Sequence, residues 1–319
     1  MRVALTISLK KIAPDDPHVR LLSLVHYAAY PATSELTSTT APGPLMEIGY
    51  VHVVPEVRVL YHVAFPDIVL KNEMKKKIIL IEAKSEAPPD LLQKVSKKFS
   101  SFTFEIVREH FGSEYHVECA LLTYESRLPH FLKNLDALSQ KIGRPLLLWY
   151  VSDKPAPYGD EEAYFIKKWQ DPKHQDASLE EKLSHGVPIP VDRYVPKPLL
   201  DINPKRKYIF SELAVNLLLK SIERGILREE RVIRTRDFLQ KFKRDYPSPV
   251  SIERLLEVLS DITRVFPELA ELSRTKETIR IKTARGLDLS AFSEIIAEIL
   301  QLEDKEYREY IRKKSKLKT

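Results

Sequence analysis

Between residues 66 and 85 the chain carries two oily runs, Ile68-Val69-Leu70 and Ile78-Ile79-Leu80-Ile81, separated by a lysine-rich turn. Short apolar runs bounded by polar turns read as strands, here expected to pair as a hairpin. Three charges sit where such strands tolerate them least. Asp67 begins the first strand, and Glu82 and Lys84 end the second. Removing charged groups from water is costly, so two carboxylates and an ammonium at the end of an oily hairpin point to a site rather than to packing. Side chains two apart share a face of a strand, so Glu82 and Lys84 point the same way. Antiparallel pairing brings Asp67 beside them.

The chemistry of that set is specific. Two carboxylates supply hard oxygen ligands for Mg²⁺, for which Mn²⁺ can substitute, and the Ala83 carbonyl is placed to add a third. Lys84 is then positioned to hold the attacking water and to offset charge on a phosphate. Cleavage of a phosphodiester by metal-activated water is the reaction these groups suit.

The sequence around the hairpin predicts a mixed α/β domain. A short helix is expected at 19–29, then a Ser/Thr/Pro-rich loop at 31–44 and β-rich sequence from 46 to 70. The strand 78–84 is followed by one long helix from Pro88-Pro89-Asp90 to about Phe111, with Leu91, Leu92, Val95, Phe99, Phe102, Ile106 and Val107 at helical spacing. A strand at 116–124, a helix at 128–142 ended by Gly143-Arg144-Pro145, and a strand at 146–151 complete it. This order implies a mixed sheet with helices on both faces.

At Pro66-Asp67, fourteen intervening residues, then Glu82-Ala83-Lys84, the sequence resembles the PD-(D/E)xK nuclease superfamily. The resemblance covers the hairpin directly, and the element order to residue 152 agrees with that family's αβββαβ core. It implies a restriction-endonuclease-like sheet flanked by helices, with Asp67, Glu82 and Lys84 as catalytic residues and Asp67, Glu82 and the Ala83 carbonyl as Mg²⁺ ligands. Many members add an acidic residue from the first helix. The 19–29 segment has none, and Glu35 and Glu47 are the nearest candidates. Gln93 falls where some relatives place a polar residue near the site.

Beyond residue 152 the composition changes. Eight prolines between 153 and 206 read as a linker (155, 157, 172, 188, 190, 196, 198 and 204). From 207 to 319 the pattern is mostly helical: 210–224 ended by Gly225, 235–246, and 251–272 capped by Ser251. An alternating segment at 278–282, a helix at 287–302 and a frayed basic tail follow. Helix, short turn, helix, then a basic hairpin is the layout of a winged-helix-like domain. Residues 1–200 hold 25 Lys+Arg and 25 Asp+Glu, which leaves 26 and 20 of the totals of 51 and 45 for residues 201–319. The whole excess of +6 therefore lies in the second part, as expected of the part that meets a polyanion. Its expected nucleic-acid contacts are Arg254 on the recognition helix and Arg274, Lys276, Arg280 and Lys282 on the wing. Lys94, Lys97 and Lys98 on the long helix of the first domain are expected to add phosphate contacts.

One cysteine, Cys119, excludes an intramolecular disulfide and a thiolate zinc site, and no glycine-rich phosphate loop signals ATP. The absence of an eighteen-residue apolar run and of a leader pattern predicts a soluble cytoplasmic protein with no membrane partner. The expectation is a metal-dependent DNA endonuclease acting in restriction, repair or branched-DNA processing. Its expected partners are DNA, with a helicase or other repair or mobile-element protein and a second copy of the chain left open. The alternative is a non-catalytic DNA-binding or scaffold subunit that keeps a nuclease-like fold.

Overall fold

The computed structural model describes residues 16–30, 43–53, 66–87, 90–191, 197–201, 203–227, 229–245, 248–283 and 287–316. Of the loop expected at 31–44, residues 31–42 with Glu35 lie outside these residues, as do the 54–65 part of the β-rich stretch, Pro88-Pro89, Tyr246-Pro247 and Lys318. The described residues divide into two compact units, 16–200 and 201–316.

In the first unit, helix α1 (Pro17–Ala28) begins where sequence chemistry favours it. Asp16 accepts hydrogen bonds from the backbone N–H groups of His18 (2.9 Å) and Val19 (3.2 Å), and Pro17 occupies the first helical position. Strands β1 (Tyr50–Val53), β2 (Ile68–Asn72) and β3 (Lys77–Ala83) follow, then helices α2 (Leu91–Lys98) and α3 (Ser101–Phe111). Strand β4 (His116–Tyr124), helix α4 (Leu128–Ile142) and strand β5 (Leu146–Val151) complete the expected order. Gly143, at φ +73°, ends α4 with its N–H on the Ser139 carbonyl, a left-handed cap that glycine adopts without strain. The single helix expected over 90–111 is two, because Phe99 and Ser100 leave helical geometry, and Ser100 stands extended ahead of α3.

The eight-stranded sheet runs β1-β2-β3-β4-β5-β7-β6, with β8 paired to β7. Pairs β3–β4 and β4–β5 are parallel and the others antiparallel. The sheet is mixed and flanked by helices, as expected. Strand parity divides its two faces. Ile79, Ile81 and Ala83 pack on the side of α1, whereas Ile78 and Leu80 pack with Leu91, Val95 and Phe99 of the α2 region and Phe131 of α4.

The expected linker at 153–206 is a correction. Strands β6 (Ala156–Tyr158), β7 (Glu161–Lys168) and β8 (Val187–Pro190), with helix α5 (Ala177–His185), extend the same sheet. Proline is tolerated there because these strands lie at the sheet's end, where ladder bonds are fewer. Buried polar contacts fix the segment. Trp149 donates its indole N–H to His174 Nε2 (2.9 Å), which leaves His174 Nδ1 as the donor to the Glu118 carboxylate. Tyr50 donates to Asp176 Oδ2 at 2.9 Å, and Lys75 Nζ lies 2.8 Å from the same carboxylate.

The second unit begins with α6 (Arg206–Leu227), which runs through Gly225 rather than ending there. Next come β9 (Arg231–Arg234), α7 (Thr235–Asp245), α8 (Ile252–Val265), β10 (Ala270–Leu272), β11 (Thr278–Ile281), α9 (Leu289–Gln301) and α10 (Asp304–Lys316). Ser251 caps α8 as expected, its Oγ accepting from Arg254 N–H at 3.2 Å. The three short strands form an antiparallel sheet in the order β10-β11-β9. Its core gathers Phe210, Phe266, Phe292 and Tyr307, with ring centroids 4.7 to 6.1 Å apart along the chain of contacts. The basic segment 312–316, expected to be a frayed tail, is the end of α10, anchored by buried Tyr307 and Ile311.

Candidate functional site

The register of the β2–β3 hairpin places the acidic pair. Ile68 faces Ile81, so Asp67, one residue earlier, stands opposite Glu82, one residue later. Parity then sends Asp67, Glu82 and Lys84 to the face that α2 covers, since Val69 and Leu80 pack on that side. The structure brings the three side chains together. Asp67 Oδ2 accepts the Ala83 N–H at 2.9 Å, and Lys84 Nζ donates to Glu82 Oε1. Lys84 itself is fixed by its backbone: its N–H bonds the Leu122 carbonyl (2.8 Å), and its carbonyl accepts from Thr123 Oγ1 (2.8 Å).

A fourth group completes the cluster. Lys98, at the last turn of α2, reaches back so that Nζ lies 2.8 Å from Asp67 Oδ1 and 2.9 Å from Glu82 Oε2. The first contact is a hydrogen bond. The second is an ion pair outside hydrogen-bond geometry, so Glu82 Oε2, in a fully buried side chain, has no hydrogen-bond donor. Lys98 was expected to contact phosphate together with Lys94 and Lys97, and the structure places it instead against the two carboxylates. The other two remain outside. Lys94 pairs with Asp90 at 3.0 Å across one helical turn, and Lys97 is exposed. The signal for Lys98 was in the sequence: Leu91, Val95 and Lys98 are spaced i, i+4, i+7, so the lysine continues the buried stripe.

Electrostatics separates the two carboxylates. Burial works to raise both. For Asp67 the ammonium groups of Lys98 and Lys84, with His18 at the start of α1, outweigh burial and hold it below the usual range. Glu82 is pushed up to about 7 by burial and by the Asp67 charge, against the pull of Lys98 and Lys84. Lys98 is desolvated too, but Asp67 and Glu82 more than compensate, so it holds its proton more tightly than a free lysine.

Whether a divalent cation fits rests on the donor set. Among the described residues, no three His, Cys, Asp or Glu side chains gather as a metal cluster. Two carboxylates do converge closely enough for one cation to touch both, and one of their buried oxygens lacks a donor. That arrangement fits a hard dication that draws further ligands from a backbone carbonyl, water and phosphate. Among the described residues, the acidic groups near the first helix do not contribute. Glu47 is exposed and pairs with Lys182 at 2.7 Å, and Asp16 is committed to capping α1. Gln93 is exposed.

In the second unit, the five expected contacts fall into two groups. Arg254 is tied into its own unit, donating to Asn203 Oδ1 and to the Pro204 carbonyl (2.6 Å). Lys282 donates to the Pro267 carbonyl at 3.0 Å and lies 3.6 Å from Glu271. Arg274, Lys276 and Arg280 are exposed on the β10–β11 hairpin, with Lys276 in its turn at φ +60°. Arg231 and Arg234 on β9 and Arg236 and Lys241 on α7 are exposed as well, the β9 pair lying outside the expected contacts.

Comparison of the chain with protein-family models, curated proteins and solved structures returned no match. Among the described residues no helix is long and apolar enough to cross a membrane.

Proposed function

We propose that the first unit is a divalent-metal-dependent deoxyribonuclease and that the second is a winged-helix module that holds it on DNA. One observation carries the reading: Asp67, Glu82 and Lys84 meet at the open end of an otherwise apolar hairpin, with the Glu82 side chain fully buried. A buried carboxylate costs stability unless a cation compensates it, and a site for chemistry is the usual reason to bear that cost. The element order α1-β1-β2-β3-α2/α3-β4 supports the PD-(D/E)xK resemblance, and helix–strand–helix–helix–strand–strand from α6 to β11 supports the winged helix.

Asp67 and Glu82 would hold the metal with the Ala83 carbonyl. When bound, the ion supplies an activated water and neutralises phosphate charge. The chain's own groups do the rest. Ala83 N–H keeps Asp67 in place through Oδ2. Lys84, anchored by its backbone to β4, directs its ammonium to the Glu82 side of the site, where it orients the water that attacks phosphorus and offsets charge in the transition state. The sheet behind them is dry, which strengthens each of these interactions.

Purified protein incubated with duplex, forked and single-stranded DNA should cleave at least one of them with Mg²⁺ or Mn²⁺ and not with EDTA. No cleavage of any DNA or RNA substrate would overturn the reading. The second reading is a non-catalytic DNA-binding subunit, and the charge balance of the cluster favours it: two carboxylates and two ammonium groups already neutralise one another. DNA binding that survives intact in Asp67→Ala and Lys84→Ala, with no cleavage by wild type, would select it.

A further inference from the structure

We propose that Lys98 is a built-in stand-in for the metal, an ammonium that holds Asp67 and Glu82 together in the metal-free protein and that a divalent ion must displace. This rests on the metal-site reading above and adds a residue for which that reading has no role. The argument is geometric. Each of the four carboxylate oxygens has one cation or donor against it: Lys98 on Asp67 Oδ1 and Glu82 Oε2, Ala83 N–H on Asp67 Oδ2, and Lys84 on Glu82 Oε1. Of the two ammonium groups only Lys98 touches both carboxylates, so it occupies the position a bridging cation would take.

Charge then dictates competition. With both lysines in place and both carboxylates ionised the cluster is neutral, and a dication added to it would leave an excess of two positive charges in a buried site. One ammonium has to leave. Lys98 is the one placed to go: its side chain keeps about a quarter of its surface exposed, it forms no hydrogen bond to Glu82 Oε2, and its stem is flexible. Its backbone need not move, because Thr103 Oγ1 holds the Lys98 carbonyl at the junction of α2 and α3. Lys84, by contrast, is anchored to β4 on both sides of its backbone. Displaced outward, the Lys98 ammonium remains at the mouth of the site, where an incoming phosphate would meet it. Metal affinity is therefore set by an exchange of cations, and the two buried carboxylates are never left without one.

The test is Mn²⁺ binding to the full chain without DNA, measured by the electron paramagnetic resonance of free Mn²⁺, with circular dichroism to follow folding. Lys98→Met and Lys98→Gln should bind Mn²⁺ at least tenfold more tightly than wild type. Lys98→Arg, which keeps the charge, should stay within threefold of wild type. The gain should vanish when Asp67→Ala is added. Variants that fold only when Mn²⁺ is present would support the proposal as well. Lys98→Met binding no more tightly than wild type, while Asp67→Ala abolishes wild-type binding, would overturn the stand-in role and leave the metal site standing. Absence of binding in wild type and in Lys98→Met, binding indifferent to Asp67, or Lys98 variants unfolded even with Mn²⁺ would overturn the stand-in role; the first two would remove the metal site too.

Discussion

The two units handle charge in opposite ways. In the first, four charged side chains meet at one point of a dry sheet, and nearly every polar atom there has an assigned partner. In the second, positive charge is spread over exposed positions of a small sheet and one helix, including Arg231, Arg234, Arg236, Lys241, Arg274, Lys276 and Arg280. Burial makes each charge in that cluster expensive and each contact specific. Exposure makes each charge in the second individually cheap, and only their sum matters. A concentrated site suits chemistry at a point, and a dispersed one suits attraction to a polyanion.

That contrast is broken most directly at the cluster. Asp67→Ala or Lys84→Ala should lower metal-dependent DNA cleavage by about a thousandfold while the protein stays folded, read as initial rates on a labelled substrate. Loss of only a fewfold would put the chemistry elsewhere.

A second buried pair in the same unit gives a pH signature. His26 and His52 face each other with their Nδ1 atoms 2.9 Å apart, beside Tyr27, Tyr30 and Lys197. Burial holds His52 down to about 4, and burial with the His52 and Lys197 charges holds His26 well below its ordinary value. Between pH 6.5 and about 4 the unfolded chain binds the extra proton and the folded chain does not. Stability is therefore full above pH 6.5 and falls with acid, by up to about 3 kcal/mol for His52. Chemical denaturation across this range should show that fall, and His52→Asn should flatten it. An unchanged pH slope in the variant would exclude the pair as its cause.

The dispersed charge should behave additively. Arg274→Ala with Lys276→Ala should weaken DNA binding about tenfold and reduce the slope of log affinity against log salt by about 2, measured by fluorescence anisotropy. The smallest effect sharpens the contrast from the other side. Arg254→Ala removes bonds to Asn203 and Pro204, so it should cost about 1 kcal/mol of stability and leave the salt slope unchanged. A changed slope would return Arg254 to the proposed DNA contacts.

Much of this was legible beforehand, for physical reasons that particular residues make clear. The hairpin and its charged end follow from alternation and apolar runs, which are local properties of the chain, and so do the α4 stop at Gly143 and the Ser251 cap. The stop expected at Gly225 fails because glycine weakens a helix interior by only about 1 kcal/mol, and the packing of α6 outweighs that. The linker expected at 153–206 fails because its prolines signal irregular chain, while its strands form only against β5 and β7 itself.

The sequence by itself determined which residues are costly, which faces they share and where helices begin, because these depend on neighbours within a few positions. Only the tertiary structure decided that Lys98 lies between Asp67 and Glu82, that Arg254 is bound to its own unit, and that a proline-rich stretch completes the sheet. Those outcomes depend on groups that meet across tens of residues, and no local preference encodes which distant partner a charged side chain will find.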